Sequence, residues 1–82
     1  MTQVLKSWRN SADVPKNWVP AGPPGAVVKV RVNNAQVLKA LRAALPGVWH
    51  KVYHLGRDGS EVHYFQHASG AVANVKYKRS KR

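Results

Sequence analysis

Val48-Trp49-His50-Lys51-Val52-Tyr53-His54-Leu55, Gly56-Arg57-Asp58-Gly59, Ser60-Glu61-Val62-His63-Tyr64-Phe65-Gln66, His67-Ala68-Ser69-Gly70 and Ala71-Val72-Ala73-Asn74-Val75-Lys76-Tyr77-Lys78 follow one another without a break and decide the fold. In the first, third and fifth pieces, β-branched and aromatic residues alternate with polar ones, the pattern of a strand lying on a core. Asp58-Gly59 is a strong hairpin signal, and His67–Gly70 turns the chain a second time. The stretch reads as three antiparallel strands in series. Upstream, Ala35 to Leu45 has helical composition, with Val37, Leu38, Leu41, Ala44 and Leu45 on one stripe and Lys39 and Arg42 off it. Asn33-Asn34 offers its N-cap and Pro46-Gly47 stops it. Ala26 to Val32 is β-branched and alternates at its end, a further strand. The expected order is β-α-β-β-β, an α+β domain with one main helix packed on a mainly antiparallel sheet. No internal repeat is present.

Residues 1–25 differ. Pro15, Pro20, Pro23 and Pro24, with Gly22 and Gly25, break every regular pattern and predict an irregular N-terminal arm or linker. Trp8, Val14, Trp18 and Val19 are too apolar for a solvated linker alone, so part of the segment is expected to pack across the domain at 26–78. The alternative is a disordered leader. The run Lys78-Arg79-Ser80-Lys81-Arg82 leaves a basic tail at 79–82 that is expected to fray.

Register decides which strand residues are neighbours. With Arg57-Asp58 at the first tip, Leu55 lies opposite Ser60, and a four-residue second loop, His67–Gly70, carries the alternation onward. Trp49, Tyr53, Leu55, Val62, Tyr64, Ala71, Ala73, Val75 and Tyr77 then share a core face for the helix, with Lys51 and Gln66 as its polar exceptions. His50, His54, Glu61, His63, Phe65, Asn74, Lys76 and Lys78 gather on the other face, open to solvent. A three-residue second loop would scramble both faces.

Fourteen Lys+Arg against three Asp+Glu give +11 over 82 residues. So large a field attracts polyanions, and phosphate backbone is the commonest of them. An acidic membrane surface or an acidic protein would satisfy it too. Without cysteine there are no disulfides and the redox compartment stays open. No apolar run approaches the roughly 20 residues of a membrane span, and no signal-peptide pattern opens the chain.

A single histidine is ordinarily a bystander, but several on one open face of a basic module point to proton transfer. Imidazole titrates near neutrality, so a pair holds one neutral and one protonated ring, as a general base and acid require. A neighbouring lysine stabilises extra charge on a pentacoordinate phosphorus. The matching reaction is metal-independent RNA cleavage through attack by the 2′-hydroxyl, which DNA lacks. His63, central on the middle strand, ranks first. His54 follows, placed near Glu61 across the hairpin, and His50 and His67 are further candidates. Lys76 and Asn74 flank His63; Lys78, Arg57 and Lys51 add cations for RNA, and Phe65 is a base-stacking platform or packs under the arm. No cofactor is expected. Asp13, Asp58 and Glu61 are too few carboxylates for a two-metal nuclease. The i, i+4 pairs His50/His54 and His63/His67 lie roughly 13 Å apart on strands, too far to share zinc.

The segment from Gly59 to Lys78 resembles the small C-terminal nuclease domains of bacterial polymorphic and contact-dependent inhibition toxins, of the barnase/EndoU/colicin/RelE class. Val62-His63-Tyr64-Phe65, the turn with Gly70 and Asn74-Val75-Lys76-Tyr77-Lys78 carry the likeness. A weaker resemblance is to the HicA mRNA-interferase toxins, in which a Gly-Ser-His stretch begins the catalytic strand. Here Glu61 follows Gly59-Ser60, and His63 comes two residues later. The resemblance implies a ribonuclease toxin, acting on RNA such as transfer RNA in the target-cell cytoplasm after delivery by a larger protein. It also implies an acidic immunity protein as partner, and segment 1–25 as the junction with the delivery protein. Two other classes compete: an RNA- or ribosome-binding module of the cytoplasm without catalysis, and a protein-interaction domain for an acidic partner. A pure binder has no need of clustered histidines.

Overall fold

A computed structural model describes residues 2–23 and 27–79. The elements are β1 (Val4–Leu5), a 3₁₀ turn (Trp8–Asn10), β2 (Val28–Arg31), α1 (Ala35–Ala44), β3 (Trp49–Leu55), β4 (Glu61–His67) and β5 (Val72–Lys78). All strand pairs are antiparallel, in the order β1-β5-β4-β3-β2, and one helix packs on the sheet. The α+β class and the β-α-β-β-β order from β2 onward hold. The strand expected from Ala26 begins at Val28; Ala26 itself, like Ser80–Arg82 of the tail, lies outside the described residues.

The helix forms where its signals put it. Asn34 Oδ1 accepts from the backbone N–H of Gln36 (3.0 Å) and Val37 (3.1 Å), satisfying two of the donors a helix start leaves free. Leu41 is fully buried with Trp49 and Ala73, and Val37, Leu38, Leu45, Val32, Val4 and Phe65 close around them. Trp49 Nε1 donates to the Leu45 carbonyl at 2.9 Å, tying the helix end to β3.

The register departs from expectation. Leu55 pairs with Glu61, not Ser60, and the Gly56 N–H donates to the Ser60 carbonyl at 2.7 Å. The loop is Arg57-Asp58-Gly59, closed by Gly59 at φ 83°, a left-handed conformation that glycine takes without steric cost. The second loop also has three residues: the His67 N–H donates to the Ala71 carbonyl at 2.8 Å. One residue of slip turns a whole strand over. β3 is therefore flipped relative to β4, so Lys51, Tyr53 and Leu55 share a face with Glu61, His63 and Phe65. His50, Val52 and His54 share the opposite face with Val62, Tyr64 and Gln66.

Both faces of the sheet are used. The helix seats on Trp49, Phe65 and Ala73, at one end of His63's face, and leaves the other end bare; it does not cover Val62, Tyr64 and Val75 as expected. That second core is closed by N-terminal residues instead: Val52, Val62, Tyr64, Val72 and Val75 pack with Val14 and Trp18, with Leu5 and Trp8 beside them. The N-terminal segment also supplies a strand, β1, which pairs with β5. Val19–Ala21 runs along the end of β3, with hydrogen bonds of 2.7 Å from Ala21 N–H to the Leu55 carbonyl and 3.0 Å from Arg57 N–H to the Val19 carbonyl.

Candidate functional site

On the bare end of the sheet, strand pairing arranges side chains in rows. Val28, Tyr53, His63 and Lys76 form one row across β2, β3, β4 and β5. Val30, Lys51 and Phe65 lie on one side of it, and Leu55, Glu61 and Lys78 on the other. His63 is at the centre. Its side chain is 15% exposed, its ring meets Tyr53 edge-on with centroids 4.5 Å apart, and its Nε2 lies 3.3 Å from Glu61 Oε1. Glu61 is thus the carboxylate partner of His63, not of His54. Lys51 Nζ sits 5.2 Å from the Tyr53 ring centre and 6.0 Å from that of Phe65, holding a cation above aromatic faces.

Lys76 reaches this face because of a bulge. Between His63 and Phe65 the β4–β5 register shifts by one, and Asn74 opposite the break takes φ 54°. The extra residue re-aims the strand beyond it. Ala73 faces the helix core, yet Lys76 and Lys78 emerge beside His63 and Glu61 while Val75 stays buried in the other core. The bulge cancels the slip introduced by the shorter second loop, which is why His63, Lys76 and Lys78 share a face as expected. Asn tolerates left-handed backbone better than other non-glycine residues. Asn74→Gly should change stability by no more than about 0.5 kcal/mol, whereas Asn74→Val should cost about 1–2 kcal/mol. Urea unfolding of the two variants checks this.

The other histidines stand apart. His50 is exposed on the opposite face, paired in register with Arg31 and Gln66. His67 is at the far end of β4: Ser69 N–H donates to its Nδ1 (3.0 Å), so the hydrogen on Nε2 donates to the Pro46 carbonyl (2.8 Å). Both ring nitrogens serve to lock the β4–β5 turn against the end of α1.

His54 lies beneath the N-terminal segment. Its ring stacks on Tyr64 (5.4 Å, 28°), lies 5.3 Å from Trp8, and its Nε2 is 2.7 Å from the Tyr64 hydroxyl. Burial, then the charge of Arg9, lowers the His54 pKa, and burial pushes Tyr64 up to about 12. Folded His54 therefore holds its proton less tightly than the unfolded chain does. Its contribution to stability is complete above about pH 6.5, the unfolded value, and is lost as pH falls through the depressed folded value. Thermal unfolding between pH 7.5 and 5 should show a smaller acid-side drop in Tm for His54→Gln than for the parent. An equal drop in both would place the acid sensitivity elsewhere.

Of the RNA-contact candidates, Lys51, Phe65 and Lys78 surround His63, Phe65 packing partly against the helix and not under the N-terminal arm, and Asn74 borders the groove beside it. Arg57 is exposed at the hairpin tip, outside the rows. Tyr53, expected on the core face, stands instead beside His63. The signal for it was Gly59, whose left-handed turn fits a three-residue loop as well as a shorter one. Among the described residues no three His, Asp or Glu side chains gather where they would hold a metal ion, and no helix is long and apolar enough to cross a membrane.

No protein-family model, curated protein or solved structure matches the chain.

Proposed function

We propose that this face cleaves RNA without a metal ion. The observation that carries the reading is the position of His63: central on a sheet end that the helix does not cover, its Nε2 at 3.3 Å from a carboxylate and its register partners a tyrosine and a lysine. Neutral His63 takes the proton of a ribose 2′-hydroxyl as that oxygen attacks the adjacent phosphorus. Glu61 steadies the imidazolium that forms, and the Lys76 ammonium stabilises the added charge on the non-bridging oxygens. The phosphorus–5′-oxygen bond breaks, and the Tyr53 hydroxyl supplies the proton to the leaving oxygen. The products are a 2′,3′-cyclic phosphate and a 5′-hydroxyl. Tyr53 is assigned this second proton transfer because its ring is the one beside His63, whereas His50, His54 and His67 stand away from it.

The +11 charge supports a polyanionic substrate and, as the resemblance implies, a toxin that an acidic immunity protein neutralises in the cytoplasm of the target cell. Incubating the purified chain with transfer RNA in EDTA tests the reaction. Fragments ending in cyclic phosphate are expected, with no cleavage of the same sequence as DNA. Intact RNA bound in a salt-sensitive manner would instead establish the non-catalytic binding module. Growth arrest on expression, relieved by His63→Ala, is the corresponding outcome in cells.

A further inference from the structure

Phosphate recognition alone does not account for the composition of the face. Val28 (59% exposed), Val30 (40%) and Leu55 (58%) are large apolar side chains left in water, and all three project on the same side of the sheet as His63. Next to Val30 the sheet falls away into a groove of about 680 Å³ between β2 and the start of α1. Val30, Val37 and the part of Phe65 that the helix leaves uncovered line it with apolar surface, and Lys51, Lys76 and Asn33 line it with polar groups. Apolar walls gain nothing from a phosphate chain, and a duplex keeps its base faces stacked inside. An unpaired base has an apolar face for the walls and a polar edge for an amide such as Asn33, which donates and accepts.

We propose that this groove is a subsite for one unpaired nucleobase of an RNA strand, a reading that rests on the assignment of the face to RNA. Phe65 and His63 are two residues apart on one strand, roughly 7 Å. A base on Phe65 therefore puts its sugar and phosphate within reach of His63, so the occupant is a nucleotide flanking the cut. The subsite selects single-stranded RNA, loops or ends over duplex. Lys51 and Lys76, both on the groove lining, hold the phosphates on either side of the base, and the groove holds the base.

Methyl NMR on the full chain tests the subsite, with uridine and adenosine 5′-monophosphates as probes and inorganic phosphate as control. The nucleotides should shift Val30 and Val37 saturably, and phosphate should not reproduce those shifts. Phe65→Leu should weaken nucleotide binding roughly tenfold. Val30→Asn, an exposed change that leaves the core intact, should weaken it several-fold. Equal shifts with phosphate alone, or nucleotide shifts confined to other surfaces, would overturn the base subsite. No response at millimolar nucleotide would also overturn it and leave the apolar face to a protein partner. The two readings fail separately. RNA cut at an unchanged rate by Val30→Asn and Phe65→Leu would remove the subsite and keep the nuclease. Nucleotides filling the groove of a chain that leaves RNA intact would do the reverse.

Discussion

His63→Ala is expected to slow RNA cleavage by about 10²–10⁴-fold, the usual contribution of a positioned general base. Binding should hardly change, because the substitution removes none of the fourteen Lys and Arg that attract the strand. The cost should therefore appear in the rate at saturating RNA, with little effect on the salt dependence of binding. The leaving-group step separates His63 from Tyr53. In a substrate whose 5′-bridging oxygen is replaced by sulfur, the departing thiolate needs no proton. Tyr53→Phe should be slow on ordinary RNA and near normal on the sulfur substrate, while His63→Ala stays slow on both. Cleavage by His63→Ala at the parental rate, with the fold intact by circular dichroism, would refute the mechanism.

Trp18→Ala should remove about 3–5 kcal/mol of stability, a quarter or more of the whole. Trp18 is 4% exposed, meets Trp8 edge-on at 5.3 Å, and its Nε1 donates to Ser60 Oγ at 2.6 Å. Ser60, fully buried, passes its own hydroxyl hydrogen to the Asp58 carboxylate, and that bond, with the Ser60 N–H at 3.0 Å, keeps the Asp58 carboxyl below its usual range. Gly56 completes the contact: a Cβ there would lie 2.7 Å from Trp18 Nε1. Removing a buried Trp side chain costs about 3–5 kcal/mol. A chain of this length has roughly 4–12 kcal/mol in total. Trp18→Phe keeps an aromatic ring but leaves Ser60 Oγ without its donor, and should cost about 1–3 kcal/mol. Urea unfolding monitored by circular dichroism orders the three proteins. A Trp18→Ala variant as stable as its parent would mean that Trp18 adds nothing to the second core.

Much of the architecture was readable locally. The helix announced itself through the Asn34 cap, the stripe from Val37 to Leu45 and the stop at Pro46-Gly47. The strands were readable because each half-buried strand alternates with period two. The alternation places His63 and Lys76 on one face, and they share it because two departures cancel: a second loop one residue shorter than expected and a bulge at Asn74. Trp8 and Trp18 stood out as too apolar for a linker, but nothing nearby in sequence indicated that they close a core against Val62 and Tyr64.

By itself, the sequence determined what each segment is: its periodicity, its caps, its turns and its strongly basic charge. Only the tertiary structure decided which face each strand shows. Alternation looks the same whichever way a strand is turned, and a single residue in the Arg57–Gly59 loop exchanges His54 for Tyr53 beside His63. That choice goes with contacts far apart in the chain, among them Trp18 held on Ser60 and Leu41 of the helix packed with Trp49 and Ala73. Facing is a property of the packed sheet, so which β3 residue lies beside His63 was decided only by the packing.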